Sequence, residues 1–204
     1  HLYFENLEKI MKSVVLLGSI LLLSACGSMQ SQVVKKNVSF DPGIQAQIRS
    51  YGSYGSDLIR IYPETDCAKW EGTKRNAVNR RFVNGLPRKV RNISIGIPPT
   101  ELSRKTEKDT GFVFRDSYRE MVVSANQPVV LDGAFSSQTR NQHYSCRVAA
   151  SFTPKAGEAY EVRYLSEEEG CDIEVYHIGH EEQDGVRQTK KLTANYCAKP
   201  GTSF

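Results

Sequence analysis

The sequence predicts a mainly β chain, an antiparallel sandwich with one or two short helices. Three observations point there. Apolar residues recur with a period of two, as in "DLIRIY" from Asp57 to Tyr62, where Leu58, Arg60 and Tyr62 alternate with Ile59 and Ile61. Strand-length segments are separated by turn chemistry at Pro98-Pro99, Ala125 to Pro128, Pro154 to Gly157 and Glu169-Gly170. The chain also lacks the regular alternation of strands with long helical periods that βαβ units require.

In chain order, residues 1–10 precede the initiator-like Met11 and put Glu5 and Glu8 ahead of an apolar segment. They are read as cloning-derived or translated upstream sequence without fold information. Residues 11–25 match the plan of a secretory signal peptide, with Lys12 leading into the apolar run Val14 to Leu23. A helix needs about 20 apolar residues to span a bilayer, so this run is too short for a permanent anchor.

Leu23-Ser24-Ala25-Cys26 resembles the bacterial lipobox, in which a leucine and two small residues precede a cysteine. The resemblance implies that the Cys26 thiol takes a diacylglyceryl group, that a peptidase cuts before it, and that the freed amine is acylated, for instance with palmitate. One acyl chain holds a protein only marginally and stable anchoring takes at least two, which a triacylated Cys26 would supply. Gly27 stands where aspartate would retain a lipoprotein in the inner membrane, so the implied address is the periplasmic side of the bacterial outer membrane.

Residues 26–39 read as the lipidated cysteine and a flexible polar tether, and residues 40–204 as a single β-rich domain opening on the turn Asp41-Pro42-Gly43. Candidate strands after Asp57 to Tyr62 are Val90 to Ile97, Phe112 to Val123, Pro128 to Phe135, His143 to Phe152, Ala159 to Leu165, Cys171 to Ile178 and Arg187 to Tyr196. Helical character is confined to Asp66 to Asn79 and Pro99 to Lys108, and Tyr51 to Ser56 reads as a flexible loop. This pattern suits a sandwich of the immunoglobulin-like or prealbumin-like kind.

Besides Cys26 there are four cysteines, Cys67, Cys146, Cys171 and Cys197. In an oxidising periplasm they read as two disulfides with three open connectivities. Cys146 with Cys171 and Cys67 with Cys197 is preferred, because the first pair falls inside one predicted meander. The spacings contain no C-x-x-C pair, which disfavours zinc-ribbon and thioredoxin-like sites.

The run "FTPKAGEAYEV", in which Phe152, Pro154, Ala156, Gly157, Tyr160 and Val162 fit an F-x-P-x-A-G-x-x-Y-x-V hairpin, resembles the carboxy-terminal meander of small uncharacterised Gram-negative outer-membrane lipoproteins. The resemblance implies a β-sandwich on a lipid tether. It brings no catalytic residue.

Net charge is +4, and removing Lys9, Lys12, Glu5 and Glu8 leaves it unchanged. Neither this balance nor a secreted address suits nucleic acid. The charge is nevertheless uneven. Lys69, Lys74, Arg75, Arg80, Arg81, Arg88, Lys89 and Arg91 oppose Glu71 alone, with Trp70 and Phe82 interleaved, while Glu158 to Asp184 is strongly acidic. The basic stretch with Trp70 is a candidate surface for anionic lipid or an acidic envelope protein, since arginine pairs bidentately with phosphate. The alternative is a solvated face that serves solubility. The ten tyrosines suit half-buried strand positions better than a ligand surface.

Catalytic signatures are absent: there is no G-x-S-x-G, S-x-x-K, H-E-x-x-H or P-loop. His177 and His180 lie on opposite faces of a strand and could share an ion only if Gly179 turned the chain, so no metal site or cofactor is assigned. The sequence therefore predicts a non-enzymatic binding or scaffolding lipoprotein of the cell envelope, held to the membrane through acyl chains on Cys26. The alternative is an envelope enzyme or enzyme inhibitor acting on peptidoglycan or lipopolysaccharide. Oligomeric state stays open.

Overall fold

Strands with apolar residues at alternate positions build two sheets that share one large apolar cluster, and Tyr62, Trp70, Val130 and Ala149 form a second, smaller one. In the computed structural model the described residues are 33–52, 58–73, 77–78, 82–83, 86–87, 91–109, 116–138, 143–167 and 170–198. The chain divides into His1–Gln30 and Ser31–Phe204, and all the described residues belong to the second unit. Cys26 and residues 11–25, the stretch read as a signal peptide, lie outside them.

The strands are β1 (Val33–Lys35), β2 (Gln45–Gly52), β3 (Leu58–Tyr62), β4 (Ala77–Val78), β5 (Phe82–Val83), β6 (Leu86–Pro87), β7 (Asn92–Ser94), β8 (Ser117–Ser124), β9 (Val129–Gln138), β10 (His143–Phe152), β11 (Ala159–Glu167), β12 (Gly170–Gln183), β13 (Val186–Leu192) and β14 (Asn195–Tyr196). Among the described residues there is one helix, α1 (Glu101–Lys108). No described helix is long and apolar enough to cross a membrane.

A seven-stranded sheet runs β1-β7-β8-β2-β11-β12-β13 and a five-stranded sheet runs β14-β10-β9-β3-β4, with β5 and β6 paired separately. The chain is mainly β with two principal sheets, as expected, but the larger sheet is mixed. β1 with β7, β7 with β8, and β2 with β11 are parallel pairs. Sequence alternation cannot distinguish parallel from antiparallel neighbours, so the purely antiparallel expectation is corrected on this point.

One apolar cluster joins Ile48, Tyr160, Val162 and Val175 from the larger sheet to Ile61 and Leu131 from the smaller. At Gly133 a Cβ would stand 2.2 Å from Cδ2 of Tyr164 in the facing sheet. Glycine is required there because the aromatic ring occupies the space of a side chain. Both expected disulfides are present. Cys146–Cys171 ties β10 to β12 across the two sheets, and Cys67–Cys197 closes a sequence separation of 130 residues.

Four differences from the expected elements have physical causes. β2 is absent from the expected strands, because Gln45, Gln47 and Arg49 on its alternate positions look solvated in sequence although Arg49 is only 1% exposed. Val33–Lys35, inside the stretch read as a tether, pairs with β7. The described residues of the Asp66 to Asn79 segment are not helical: the Asp66 carboxylate accepts the Ala68 N–H in a local turn, Gly72 takes φ +90°, and Ala77–Val78 is a strand. The stretch Arg187 to Tyr196 splits after Leu192, sending β13 to one sheet and β14 to the other.

Candidate functional site

The face of the seven-stranded sheet that points away from the core carries charge where a solvated sheet would carry scattered polar residues. Arg49 and Tyr51 of β2, Glu120 of β8 and Glu161 of β11 share this face by strand register, because Arg49 pairs opposite Glu120 on one side and Glu161 on the other. All four are buried, with relative exposures of 1% to 4%.

Arg49 is the hub. Its Nε donates to Glu120 Oε1 at 2.9 Å, Nη1 donates to Glu161 Oε1 at 2.9 Å, and Nη2 donates to the carbonyls of Ile97 and Pro98 at 2.8 and 3.0 Å. Its guanidinium also stands 5.2 Å from the centroid of the Tyr118 ring. Burial works against the charge, but Tyr51, Glu120 and Glu161 outweigh it and hold the Arg49 pKa above its ordinary value. Burial and then the Glu161 charge push the Tyr51 hydroxyl up, so it stays a protonated donor to Glu161 Oε1 at 2.6 Å.

Glu120 explains why the strand expected over Val90 to Ile97 ends at Ser94. Its Oε2 accepts the Ser94 hydroxyl and the backbone N–H groups of Ile95, Gly96 and Ile97 at 2.7 to 3.2 Å. The chain leaves the sheet to wrap this carboxylate, with Gly96 at φ +104° making the turn. Pro98-Pro99 then leads into α1. Thr100 caps it in a capping box with Ser103, and the Thr100 hydroxyl also donates to Glu161 Oε1. Glu101 in the first turn and Lys105 and Lys108 in the last suit the helix dipole.

Glu161 therefore has three donors on Oε1, while Oε2 is engaged by no described residue. It lies in the lining of a cavity of about 300 Å³ between α1 and strands β11 to β13. An adjoining cavity of about 640 Å³ continues toward the β12–β13 turn, and Glu101, Lys105 and Val186 border both. Beside Glu161, Arg163 donates from Nε to Glu174 at 2.5 Å and from Nη2 to the Tyr176 hydroxyl at 2.9 Å. Lys191 reaches Glu174 at 2.6 Å, so alternating charges cross from β8 to β13.

A second buried ion cluster sits on the smaller sheet. Asp132, fully buried, accepts from Arg60 at 2.8 Å and from Arg147 at 2.8 and 3.1 Å, and Arg147 stacks 5.3 Å from the centroid of Trp70.

The residues singled out in sequence fall in different places. Lys69 and Arg91 are exposed, and Trp70 is buried against Tyr62, so the indole is unavailable to a partner. Lys74, Arg75, Arg80, Arg81, Arg88 and Lys89 lie outside the described residues. His177 and His180 do not point to opposite sides as strand alternation predicts. The ladder is irregular between Ile178 and Glu182, and both Nε2 atoms reach Glu158 Oε2, at 2.6 and 3.6 Å. A bulge undoes the period of two. Among the described residues no three His, Cys, Asp or Glu side chains are arranged to hold a metal ion.

Sequence reasoning missed Arg49, Glu120, Glu161 and Thr100 as a group. The available signal was charge flanked by apolar residues within strands, as in Ile48-Arg49-Ser50-Tyr51 and Tyr160-Glu161-Val162. No protein-family model, no curated protein and no solved structure matches the chain.

Proposed function

We propose that this chain is a lipid-anchored protein of the bacterial outer membrane, facing the periplasm, whose β-sandwich body binds or scaffolds an envelope component without catalysing a reaction. The observation that carries the reading is the way β1 joins the body. Seven peptide steps separate Cys26 from Val33, a reach of at most about 25 Å, and Val33 pairs with Asn92, the residue after Arg91. The last residue of the basic stretch thus adjoins β1, the edge strand of the larger sheet that follows Cys26 in the chain. Two disulfides, one linking the sheets, suit an oxidising compartment. The apolar cluster shared by both sheets supports the sandwich.

In this reading the acyl chains hold the body beside the bilayer, and the basic stretch meets anionic headgroups, each basic residue contributing about 1 kcal/mol. The test uses the full chain with Cys26→Ser, so that no acyl group contributes. It is mixed with vesicles of anionic or zwitterionic lipid and separated by flotation. The protein should float with the anionic vesicles only, and reversing Arg75, Arg80, Arg81 and Arg91 to Glu should weaken partitioning about a hundredfold or more. Equal flotation of the reversed variant would remove the docking role.

A further inference from the structure

We propose that the open edge of β13 is a docking site for an extended acidic protein segment, which adds to the larger sheet as a further strand. Four strands end the two principal sheets. β1 has three residues, β4 and β14 have two each, and β13 has seven. β13 contains no proline, and the irregularity in its pairing lies in its neighbour: between the pairs Ile178–Thr189 and Glu182–Arg187, β12 advances four residues and β13 two. Of the devices that keep a strand edge from pairing, short length, proline and bulge are therefore missing from β13. Lysine remains, and its effect depends on the charge of the incoming strand.

The edge already pairs at its start. The Arg187 N–H donates to the Pro99 carbonyl at 2.8 Å, and Thr100 forms an isolated parallel bridge with Arg187 before the chain turns away into α1. Backbone groups alternate sides along a strand, so Thr189 and Lys191 present their N–H and C=O groups on the same side as Arg187. Among the described residues no backbone group meets them there, and Gln188 to Lys191 are exposed. A segment that pairs with Thr189 and Lys191 continues the ladder from the point where the chain's own cover leaves it.

Charge selects the occupant. β13 carries Arg187, Lys190 and Lys191 and no acidic residue. Glu182 stands 3.8 Å from Arg187 and Glu174 2.6 Å from Lys191, whereas no described carboxylate reaches Lys190. Lys105 of α1, exposed, borders the same cavity as Arg187 and Thr189. A second copy of β13 is a poor occupant. Two-fold antiparallel pairing centred on Thr189, Lys190 or Lys191 sets Lys191 against Arg187, Lys190 against Lys190 or Lys191 against Lys191. Like charges directly opposite one another destabilise a sheet, and an acidic strand turns the same lysines into favourable cross-strand partners.

The proposal rests on the reading of the body as a binder and names a protein partner for it. It uses neither the acyl group nor the basic stretch, so vesicle flotation and strand addition can fail separately.

The experiment titrates the nitrogen-15-labelled full chain, carrying Cys26→Ser, with two blocked peptides, one alternating glutamate with valine and the other lysine with valine. The Thr189 and Lys191 amide resonances should shift saturably with the glutamate peptide alone. Thr189→Pro deletes an outward N–H and no bond to β12, and should weaken binding about fivefold or more. Lys190→Glu disturbs no described ion pair and should weaken it about threefold or more; it carries the test if Thr189→Pro lowers the urea midpoint. Methylating alternate backbone nitrogens of the glutamate peptide should abolish the shifts. Absence of shifts at the two amides would overturn the proposal, as would equal binding of the lysine peptide or of the methylated peptide, or binding that Lys190→Glu leaves unchanged. Sedimentation that shows the chain alone dimerising, and Lys190→Glu strengthening the dimer, would give the edge to a second copy and overturn it too.

Discussion

Replacing Arg49 with methionine is the sharpest test of the buried network. The substitution keeps an unbranched side chain but deletes the only cation within hydrogen-bond reach of Glu120 and Glu161 among the described residues. Breaking a buried ion pair from one side costs roughly 3–5 kcal/mol because a charge is left unpaired. Here the lower end applies. Glu120 keeps three backbone N–H groups and the Ser94 hydroxyl, and Glu161 keeps Tyr51 and Thr100. The carbonyls of Ile97 and Pro98 lose their Arg49 donor as well. A loss of about 3 kcal/mol is a third or more of the stability of a marginal domain. Urea unfolding at pH 7, monitored by far-ultraviolet circular dichroism, should show a lower midpoint at unchanged slope. Adding Glu161→Gln to Arg49→Met neutralises one orphaned charge, so the double variant should be less destabilised than the sum of the single changes by about 1 kcal/mol or more. A cost below about 1 kcal/mol for Arg49→Met, or strict additivity in the double variant, would refute the role given to this network.

Other parts of the fold yield further expected outcomes. Removing Cys67–Cys197, with its separation of 130 residues, should cost about 5 kcal/mol by loop-closure entropy, against about 3.5 for Cys146–Cys171 with its separation of 25; equal midpoints for the two double-alanine variants would contradict this. Gly133→Ala drives a Cβ into the Tyr164 ring and should destabilise by roughly 1–3 kcal/mol, with Tyr164→Leu relieving part of that loss; full additivity of the two changes would count against the clash. The hydrogen bond from His177 holds the Glu158 carboxyl below the usual range. Burial would raise Glu174, but bonds from Lys191, Arg163 and Tyr176 more than offset it. Both carboxylates are thus depressed on folding, so their stabilisation is present above the ordinary value near 4.3 and is lost as pH falls through the lower folded values. Glu174→Gln should flatten the fall in urea midpoint below about pH 4.5, and an unaltered slope would exclude that contribution.

The strands most legible in the sequence are those with regular alternation and strong turns at both ends. His143 to Phe152 matches β10 at both ends, but the expected hairpin from Phe152 to Val162 does not form: the turn with Gly157 at φ +77° carries the chain from β10 in the smaller sheet to β11 in the larger, and the two strands do not pair. β2 is illegible for a definite reason. A strand covered on both faces normally reads as an apolar run, whereas here one buried face is charged and compensated by residues 71 and 112 positions away. Pairings that distant leave no local trace, which is also why the parallel alignment of β2 with β11 has no sequence signature. The helix is visible through its cap. Thr100 precedes a polar run after two prolines, while its bonds to Glu161 and Arg49 depend on tertiary structure. His177 and His180 show the limit of periodicity arguments, since one irregularity after Ile178 brings together side chains that alternation sets apart.

The central claim concerns how the body is held at the envelope, and the intact mass of the protein tests it most directly. Protein extracted from the membranes of Gram-negative cells that express the full chain should begin at Cys26, with a diacylglyceryl thioether on sulfur and an acyl group on the amine. A product that keeps Met11, or one that begins at Cys26 with a free thiol, would contradict the anchored account.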